Sequence, residues 1–168
     1  MERTLKDGSI VNLRPIRPDD KDGLELGLAR LSPASVHARF LAPKRRFSSS
    51  ELRYLTEVDG HDHLALVAEP EGEPGVVAAV GRWVRLPDEP ETAEFAIVVG
   101  DPLQSLGLGS IMADELAHSA KQEGIARFTA SVLSENAAIV RIMARLSDHL
   151  ERRHSGRGTA ELAFDLAA

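Results

Sequence analysis

The sequence predicts a single α/β (α+β) domain, and three observations support this prediction. Apolar runs of strand length alternate along the chain with segments in which apolar residues recur at helical spacing. The 168 residues are enough for one domain with a substantial core, and no linker-like segment divides them. A composition of 43% hydrophobic and 27% charged residues is that of a globular chain rather than a disordered one. We therefore treat residues 1–168 as one domain.

The amino-terminal segment predicts two short strands followed by a helix. Residues 4–11 surround an Asp-Gly pair, which is typical of a tight turn between strands. Pro15 and Pro18 then favour an extended chain, because a proline disfavours helical geometry in the residue before it. A helix is predicted after them, from about residue 19 to residue 30.

Two capped helices follow. Ser32 stands before Pro33, which combines a capping side chain with the proline favoured at the first helical position, so a helix is predicted to about Phe40. The serines at 48–50 predict the start of a third helix, which we expect to end near Glu57.

The second half of the chain predicts further strands and two longer helices. Apolar runs over 63–68 and 76–86 flank a turn-rich segment and predict a hairpin. The elements predicted after it are a strand over 92–99, a helix over 108–123, a strand over 127–133, a helix over 136–146 and two short strands near 150–153 and 160–165.

Composition excludes several classes of function. The chain has no cysteine, so disulfides, thiolate metal sites and a cysteine nucleophile are excluded. A net charge of −6 argues against general nucleic-acid binding. No apolar segment has the length that spans a bilayer or forms a signal peptide, so we expect no membrane partner and a cytoplasmic location. The cluster His61-Asp62-His63 lacks further ligands, and we predict no metal site.

The segment between the predicted strand at 92–99 and the helix at 108–123 has the features of a phosphate-binding loop. It contains Gln104-x-x-Gly107-x-Gly109, in which the glycines let the main chain approach a ligand closely. The first amide hydrogens of the helix lack intrahelical acceptors, and together with the helix dipole they favour an anion such as pyrophosphate.

Two common phosphate loops do not fit this segment. A nucleotide P-loop ends in Gly-Lys-Ser/Thr, whereas Gly109 is followed by Ser110 and Ile111. A dinucleotide fingerprint requires a third glycine for close packing of the helix, and Met112 occupies that position.

The remaining motif resembles the acyl-CoA loop of the GNAT acetyltransferase superfamily. Its context is similar as well, since the strand at 127–133 is followed by Ser134-Glu135-Asn136, which resembles the family's asparagine-led helix. The segments Arg14–Asp20 and Leu31–Phe40, together with Glu94, resemble the GNAT domain of bacterial Pat-type protein lysine acetyltransferases. This resemblance implies a central mixed, mostly antiparallel sheet that is splayed at the acyl-CoA site and flanked by helices.

The resemblance also implies which residues bind acetyl-CoA as cosubstrate. Main-chain groups of the strand end would pair with pantetheine, amides of the loop would hold the pyrophosphate, and Asn136 either only caps its helix or also contacts the cosubstrate. The implied binding residues are Ile97, Val98, Val99, Gln104, Ser105, Leu106, Gly107, Leu108, Gly109, Ser110 and Asn136.

Direct transfer of an acetyl group to an amine requires a group that takes a proton, because a lysine ammonium has a pKa near 10.4 and is charged at neutral pH. The resemblance implies Glu94 as this general base, in a partly dry cleft. The alternative is that Glu94 belongs to the acidic group Asp88, Glu89 and Glu91 on a solvated face. The amide of Val98 or Val99 is the expected oxyanion donor.

A dedicated general acid is not predicted. Many family members carry a tyrosine seven residues after the asparagine, where this chain has Met143, and a thioether cannot donate a proton. Tyr54 is the only tyrosine, and nothing in the sequence brings it to the site. The resulting hypothesis is an N-acetyltransferase that acts on an amine acceptor, with a protein lysine as the leading candidate. The alternatives are acetylation of a small amine or antibiotic, and a non-catalytic acyl-CoA sensor.

Overall fold

The computed structural model describes residues 1–147, 149–156 and 158–166, so four positions of the predicted domain lie outside the described residues. The strands are β1 (Glu2–Thr4), β2 (Ile10–Pro15), β3 (His63–Pro70), β4 (Ala79–Leu86), β5 (Glu89–Val99), β6 (Arg127–Leu133), β7 (Leu150–Gly156) and β8 (Thr159–Asp165). The helices are α1 (Lys21–Arg30), α2 (Pro33–Phe40), α3 (Ser49–Thr56), α4 (Leu108–Gln122) and α5 (Ala137–Leu146).

The strands form one sheet, in the order β1-β2-β3-β4-β5-β6-β8-β7. Every neighbouring pair is antiparallel except β5 and β6, which are parallel. The expectation of a mixed, mostly antiparallel sheet flanked by helices is therefore confirmed.

The parallel pair separates halfway along its length. Pairing between β5 and β6 begins at Thr92 with Arg127 and ends at Glu94 with Thr129. Both strands continue, β5 to Val99 and β6 to Leu133, without pairing to each other. We call this point of separation the fork. The predicted splay of the sheet is present, and it begins immediately after Glu94.

The two faces of the sheet are covered by different helices. One face carries Trp83, Phe95 and Phe128, which are at most 2% exposed and pack with buried residues of α4 and α5. On the opposite face, buried residues of β3 pack with α1 and α3, and α2 lies against β5 and β6. Arg82 follows Gly81 and precedes Trp83, so its side chain points to the second face.

The helix predicted from residue 19 begins slightly later and in a different form. A short 3-10 helix covers Pro18–Asp20, and α1 starts at Lys21. The Asp20 carboxylate explains the difference, because it accepts from the Arg17 N–H at 2.6 Å and from Arg14 at 2.7 and 2.8 Å. These bonds fix the chain in a tight turn before the α-helix starts.

Within the described ranges, none of the helices has the length and apolar character that crossing a lipid bilayer requires.

Candidate functional site

A cleft of about 680 Å³ opens at the fork, between the end of β5, the start of α4, α5 and one side of α2. Most of the residues that the resemblance implied as cosubstrate ligands line it. They are Ile97, Val98, Val99, Gln104, Ser105, Gly107, Gly109, Ser110 and Asn136.

The register of β4 and β5 decides which main-chain groups face the fork. The Gly100 N–H donates to the Ala78 carbonyl at 2.8 Å, on the β4 side. Because alternate residues of an antiparallel strand bond to the same neighbour, Val98 also directs its N–H and C=O towards β4. Ile97 and Val99 direct theirs towards the gap. Val98 lines the cleft, but its N–H faces β4, so of the two expected oxyanion donors it is Val99 whose N–H faces the gap.

The loop after β5 supplies a set of unbonded amides. Gly107 has φ +94° and precedes α4. Helical bonding starts with the Ile111 N–H, which donates to the Gly107 carbonyl at 3.1 Å. The N–H groups of Leu108, Gly109 and Ser110 therefore have no intrahelical acceptor, and they mark an anion site at the mouth of the cleft.

Two predicted loop residues serve a different purpose with their side chains. Leu108 is fully buried and packs in a core cluster, with Leu106 against the same cluster. Neither residue lines the cleft. Apolar side chains at these positions anchor the loop to the core, so a ligand meets at most their main-chain groups.

Gln104 braces the loop with its side chain. Its Nε2 atom donates to the Val99 carbonyl and to Ser35 Oγ, both at 3.0 Å. Ser105, the next residue, has φ +64°, a left-handed conformation that costs energy for a residue with a side chain. The Gln104 hydrogen bonds and the left-handed Ser105 both lie where the loop approaches the cleft.

Asn136 caps α5, as predicted. Its Oδ1 accepts from the Ile139 N–H at 3.2 Å, and the residue also lines the cleft. The cap is confirmed, and a contact between Asn136 and a ligand stays a prediction.

Several lining residues were missed because they are distant in sequence from the motif. Lys6 comes from the turn between β1 and β2, and Ser35 and Arg39 come from α2. Arg141 and Arg145 of α5 line the cleft as well. Arg145 is tied to Asp114 of α4 at 2.7 Å. The spacing of Arg141 and Arg145, four residues apart on a predicted helix, was the only signal in the sequence that could have pointed to this part of the lining.

Glu94 lies at the fork but not in a dry environment. It is the last residue of β5 that pairs with β6, and its side chain is exposed on the face that carries Arg82 and α2. It does not line the cleft, so the expected partly dry setting is wrong for this structure. Burial lowers the pKa of the Arg39 guanidinium, and the charge of Glu94 opposes this change, which places the carboxylate within electrostatic reach of α2. The exposure of Glu94 agrees with the alternative that it lies on a solvated face, whereas its position at the fork agrees with the role of general base.

A second cavity, of about 450 Å³, lies on the other side of α2. It is formed by α2, the end of β6 and the hairpin between β7 and β8. Its lining includes His37, Leu41, Leu133, Ser134, Glu135 and Thr159. The Ser134 hydroxyl is buried and has no hydrogen-bond partner among the described residues. Helix α2 thus separates two cavities that adjoin the fork.

Neither Met143 nor Tyr54 lines the cleft, which agrees with the expectation that neither residue acts as a general acid. Met143 is fully buried in the core against α4. Tyr54 is 57% exposed on α3, and its ring lies 5.0 Å from that of His63.

In the part of the chain that the structure describes, no three potential metal ligands come together, and His61 instead contacts Glu123.

Comparisons with known proteins agree with this geometry. The family model described as "Acetyltransferase (GNAT) family" matches residues 34–147. Acetyltransferase Pat of Mycolicibacterium smegmatis is 37% identical over 142 residues, and acetyltransferase PA5475 of Pseudomonas aeruginosa is 32% identical over 123 residues. These matches cover 84% and 72% of this chain, but only 42% and 65% of the two relatives. The chain therefore spans less than two thirds of the curated relatives.

The fold agrees with a solved relative over nearly the whole length. The crystal structure of the GNAT domain of S. lividans PAT superposes with a TM-score of 0.86 at 29% identity, covering 99% of this chain and 96% of that one. The resemblance inferred from the motifs is confirmed. On its family match, its relatives and its fold, the chain belongs to the acetyltransferase (GNAT) family.

Proposed function

We propose that the protein is an N-acetyltransferase that moves an acetyl group directly from acetyl-CoA to an amine, with a protein lysine as the acceptor and Glu94 as the general base. The observation that carries the proposal is the position of Glu94 at the fork, where β5 and β6 separate between the two cavities. A base at this point can reach an amine that approaches the thioester from the side opposite the cosubstrate.

The larger cleft supports acetyl-CoA as the donor. The free edge of β5 offers the main-chain groups of Ile97 and Val99 to the pantetheine arm, in the manner of an added strand. The three unbonded amides at the start of α4 suit the pyrophosphate. Lys6 and Arg141 add positive charge to the same cleft.

The chain's own groups can carry the transfer. Glu94 takes a proton from the lysine ammonium, directly or through water, which its exposed position allows. The neutral amine then attacks the thioester carbonyl, and the Val99 N–H faces the gap in which the negative charge on oxygen develops. The tetrahedral intermediate then breaks its C–S bond, and the proton that the nitrogen loses on becoming an amide passes through water to the departing thiolate. A thiol has a pKa of about 8.5, so this transfer needs no tyrosine.

The acceptor assignment is supported by charge and by the resemblance to Pat-type enzymes. Glu135 lies exposed in the lining of the second cavity, Glu94 lies exposed at the fork, and the protein carries a net charge of −6. These features favour a cationic acceptor.

The proposal is tested by the Glu94→Gln variant. We expect turnover with lysine peptides to fall by about 10² to 10⁴, the usual contribution of a general base. The affinity for acetyl-CoA, measured by calorimetry, should stay unchanged because Glu94 does not line the larger cleft. The matched control is Glu91→Gln, an exposed carboxylate three residues earlier on the same strand, which should keep full turnover.

Other outcomes separate the alternatives. Unchanged turnover in Glu94→Gln would remove this residue from the mechanism. Release of CoA with free amines but not with peptides would assign a small-molecule acceptor. Binding of acetyl-CoA with no release of CoA for any amine in the panel would favour the sensor.

A further inference from the structure

Helix α2 forms a wall of both cavities. Ala34, Ser35, Ala38 and Arg39 line the larger cleft, whereas His37 and Leu41, at and just beyond its carboxyl-terminal end, line the second cavity. A displacement of this one helix therefore changes the shape of both cavities together. Its position matters for the acceptor side as much as for the donor side.

Helix α2 makes few buried contacts that could hold it in place. It contains 8 residues, and Val36 is the one among them whose side chain is buried. Helices of this length are marginally stable in water, and elements with few buried apolar contacts open at low energetic cost. Contacts with other elements must fix its position.

Asp101, in the loop after β5, supplies these contacts. Its carboxylate accepts from the Ser32 N–H at 2.9 Å, from Ser32 Oγ at 2.7 Å and from Ser35 Oγ at 2.9 Å. A carboxylate at this place also faces the positive end of the α2 dipole. The N–H bond from Ser32, followed by the two hydroxyl bonds, holds the pKa of Asp101 below its ordinary value, so the group is ionised at neutral pH.

Gln104 forms a second connection from the same loop. Its side-chain amide bridges Ser35 of α2 and the carbonyl of Val99 at the end of β5. Asp101 and Gln104 flank Pro102 and Leu103, and the anion-binding amides begin only four residues later, at Leu108. The segment that meets the pyrophosphate is thus bonded directly to the amino-terminal turn of α2.

We propose that Asp101 is a positioning residue that couples two events. Binding of acetyl-CoA to the loop between β5 and α4, which we call the cosubstrate loop, fixes the placement of α2, and α2 in turn determines the shape of the second cavity. This inference rests on the proposed binding of acetyl-CoA in the larger cleft. A ligand that immobilises the loop restricts Asp101, and Asp101 then holds the first turn of α2 in the position that forms the acceptor wall.

Amide hydrogen exchange tests the coupling without any knowledge of the acceptor. In the unmodified protein, saturating acetyl-CoA should slow exchange over residues 105–110, which reports binding, and over residues 34–40, which reports α2. We expect the slowing in α2 to be about fivefold or more, the lower end of usual coupling between sites.

The Asp101→Ala variant distinguishes the coupling from direct contact between ligand and helix. We expect residues 105–110 to remain protected by acetyl-CoA in this variant, while the additional protection of α2 is lost. Direct contact alone would leave the protection of α2 intact. The control is Asp88→Ala, an exposed aspartate in the turn between β4 and β5, which should behave as the unmodified protein.

Each remaining outcome has a definite meaning. Equal protection of α2 in the unmodified protein and Asp101→Ala overturns the coupling and leaves the proposed function standing. Absence of protection in both segments of the unmodified protein overturns the proposed function. If Asp101→Ala does not fold, as judged by its thermal melt, Ser35→Ala takes its place. It removes two of the four connecting side-chain bonds, and protection of α2 should fall while that of 105–110 persists.

Discussion

Arg82 is a buried cation whose environment determines the protonation of a neighbouring histidine. The residue is 6% exposed, and its Nη1 lies 2.9 Å from His63 Nε2. Burial, followed by the charge of Arg39, lowers the pKa of Arg82 to about 10, so it stays charged near neutral pH. Because the guanidinium can only donate, His63 must accept through Nε2 and is therefore neutral.

This arrangement predicts how stability depends on pH. Burial and the charge of Arg82 lower the pKa of His63 to about 4, whereas an unfolded histidine has a pKa of 6.5. Between these pH values the unfolded chain binds a proton that the folded chain does not, so the free energy of unfolding decreases as the pH falls. The full loss from this group is roughly 3 kcal/mol.

The His63→Gln variant isolates this contribution. A glutamine carbonyl can accept from Arg82 but does not titrate, so urea unfolding at about pH 7.5 and about pH 5 should show a smaller difference than in the unmodified protein. The control is His118→Gln, an exposed position on α4, which should retain the original pH dependence. Identical dependence in all three proteins would show that His63 titrates normally in the folded state.

Single residues were predictable from the sequence where the cause is local. The Asn136 cap depends on its own short segment, and it is present. Arg82 and Lys6 were not identified, because their roles arise from strand pairing between distant positions. The exposure of Glu94 was left open for the same reason, since only the β4–β5 register decides which face it occupies.

At the level of elements, the β1–β2 turn supports the cosubstrate loop. Leu5 is buried in the cluster that contains Leu108, and the Lys6 N–H donates to the Leu106 carbonyl at 3.0 Å. The side chain of Lys6 runs past Gly107, where an added Cβ would lie 3.6 Å from its Cε. The turn thereby carries an ammonium group to the place where the pyrophosphate is expected.

The Lys6→Ala variant should weaken acetyl-CoA binding about two- to fivefold, since an exposed ion pair contributes up to about 1 kcal/mol. Calorimetry with S-acetylpantetheine, which lacks phosphates, should show no such change. High salt should reduce the difference for acetyl-CoA, because it screens exposed charges. Lys121→Ala, at the far end of α4, is the control. Equal weakening of both ligands would assign Lys6 a role in folding the loop instead of a phosphate contact.

The ends of elements that depend on nearby residues were predicted closely from the sequence. The arrangement of the elements in the fold was not. The helices capped by Ser32 and Ser48 begin where expected, because a capping side chain acts on its own first turn. The strand predicted over 92–99 starts earlier, at Glu89, through pairing with β4 across a tight turn. The mixed sheet and its fork followed from the family resemblance, whereas the strand order was not predicted, since periodicity says nothing about which strands are neighbours.

The whole molecule presents its two cavities on opposite sides of α2, and both are open at the surface. Under the proposed function, donor and acceptor can therefore be bound at the same time. The chain contains no cysteine, so an acyl-enzyme on a thiolate is excluded. These two facts favour direct transfer within a ternary complex.

Initial-rate kinetics should show this order of events. With acetyl-CoA and a lysine peptide varied together, double-reciprocal plots should intersect, because both substrates must be present before any product leaves. A covalent acyl-enzyme would instead produce parallel lines and an early burst of CoA release without acceptor. The Glu94→Gln variant is the matched control, since loss of the base lowers turnover but leaves the intersecting pattern of a ternary complex. Parallel lines in the unmodified protein would contradict direct transfer and require a nucleophilic side chain other than cysteine.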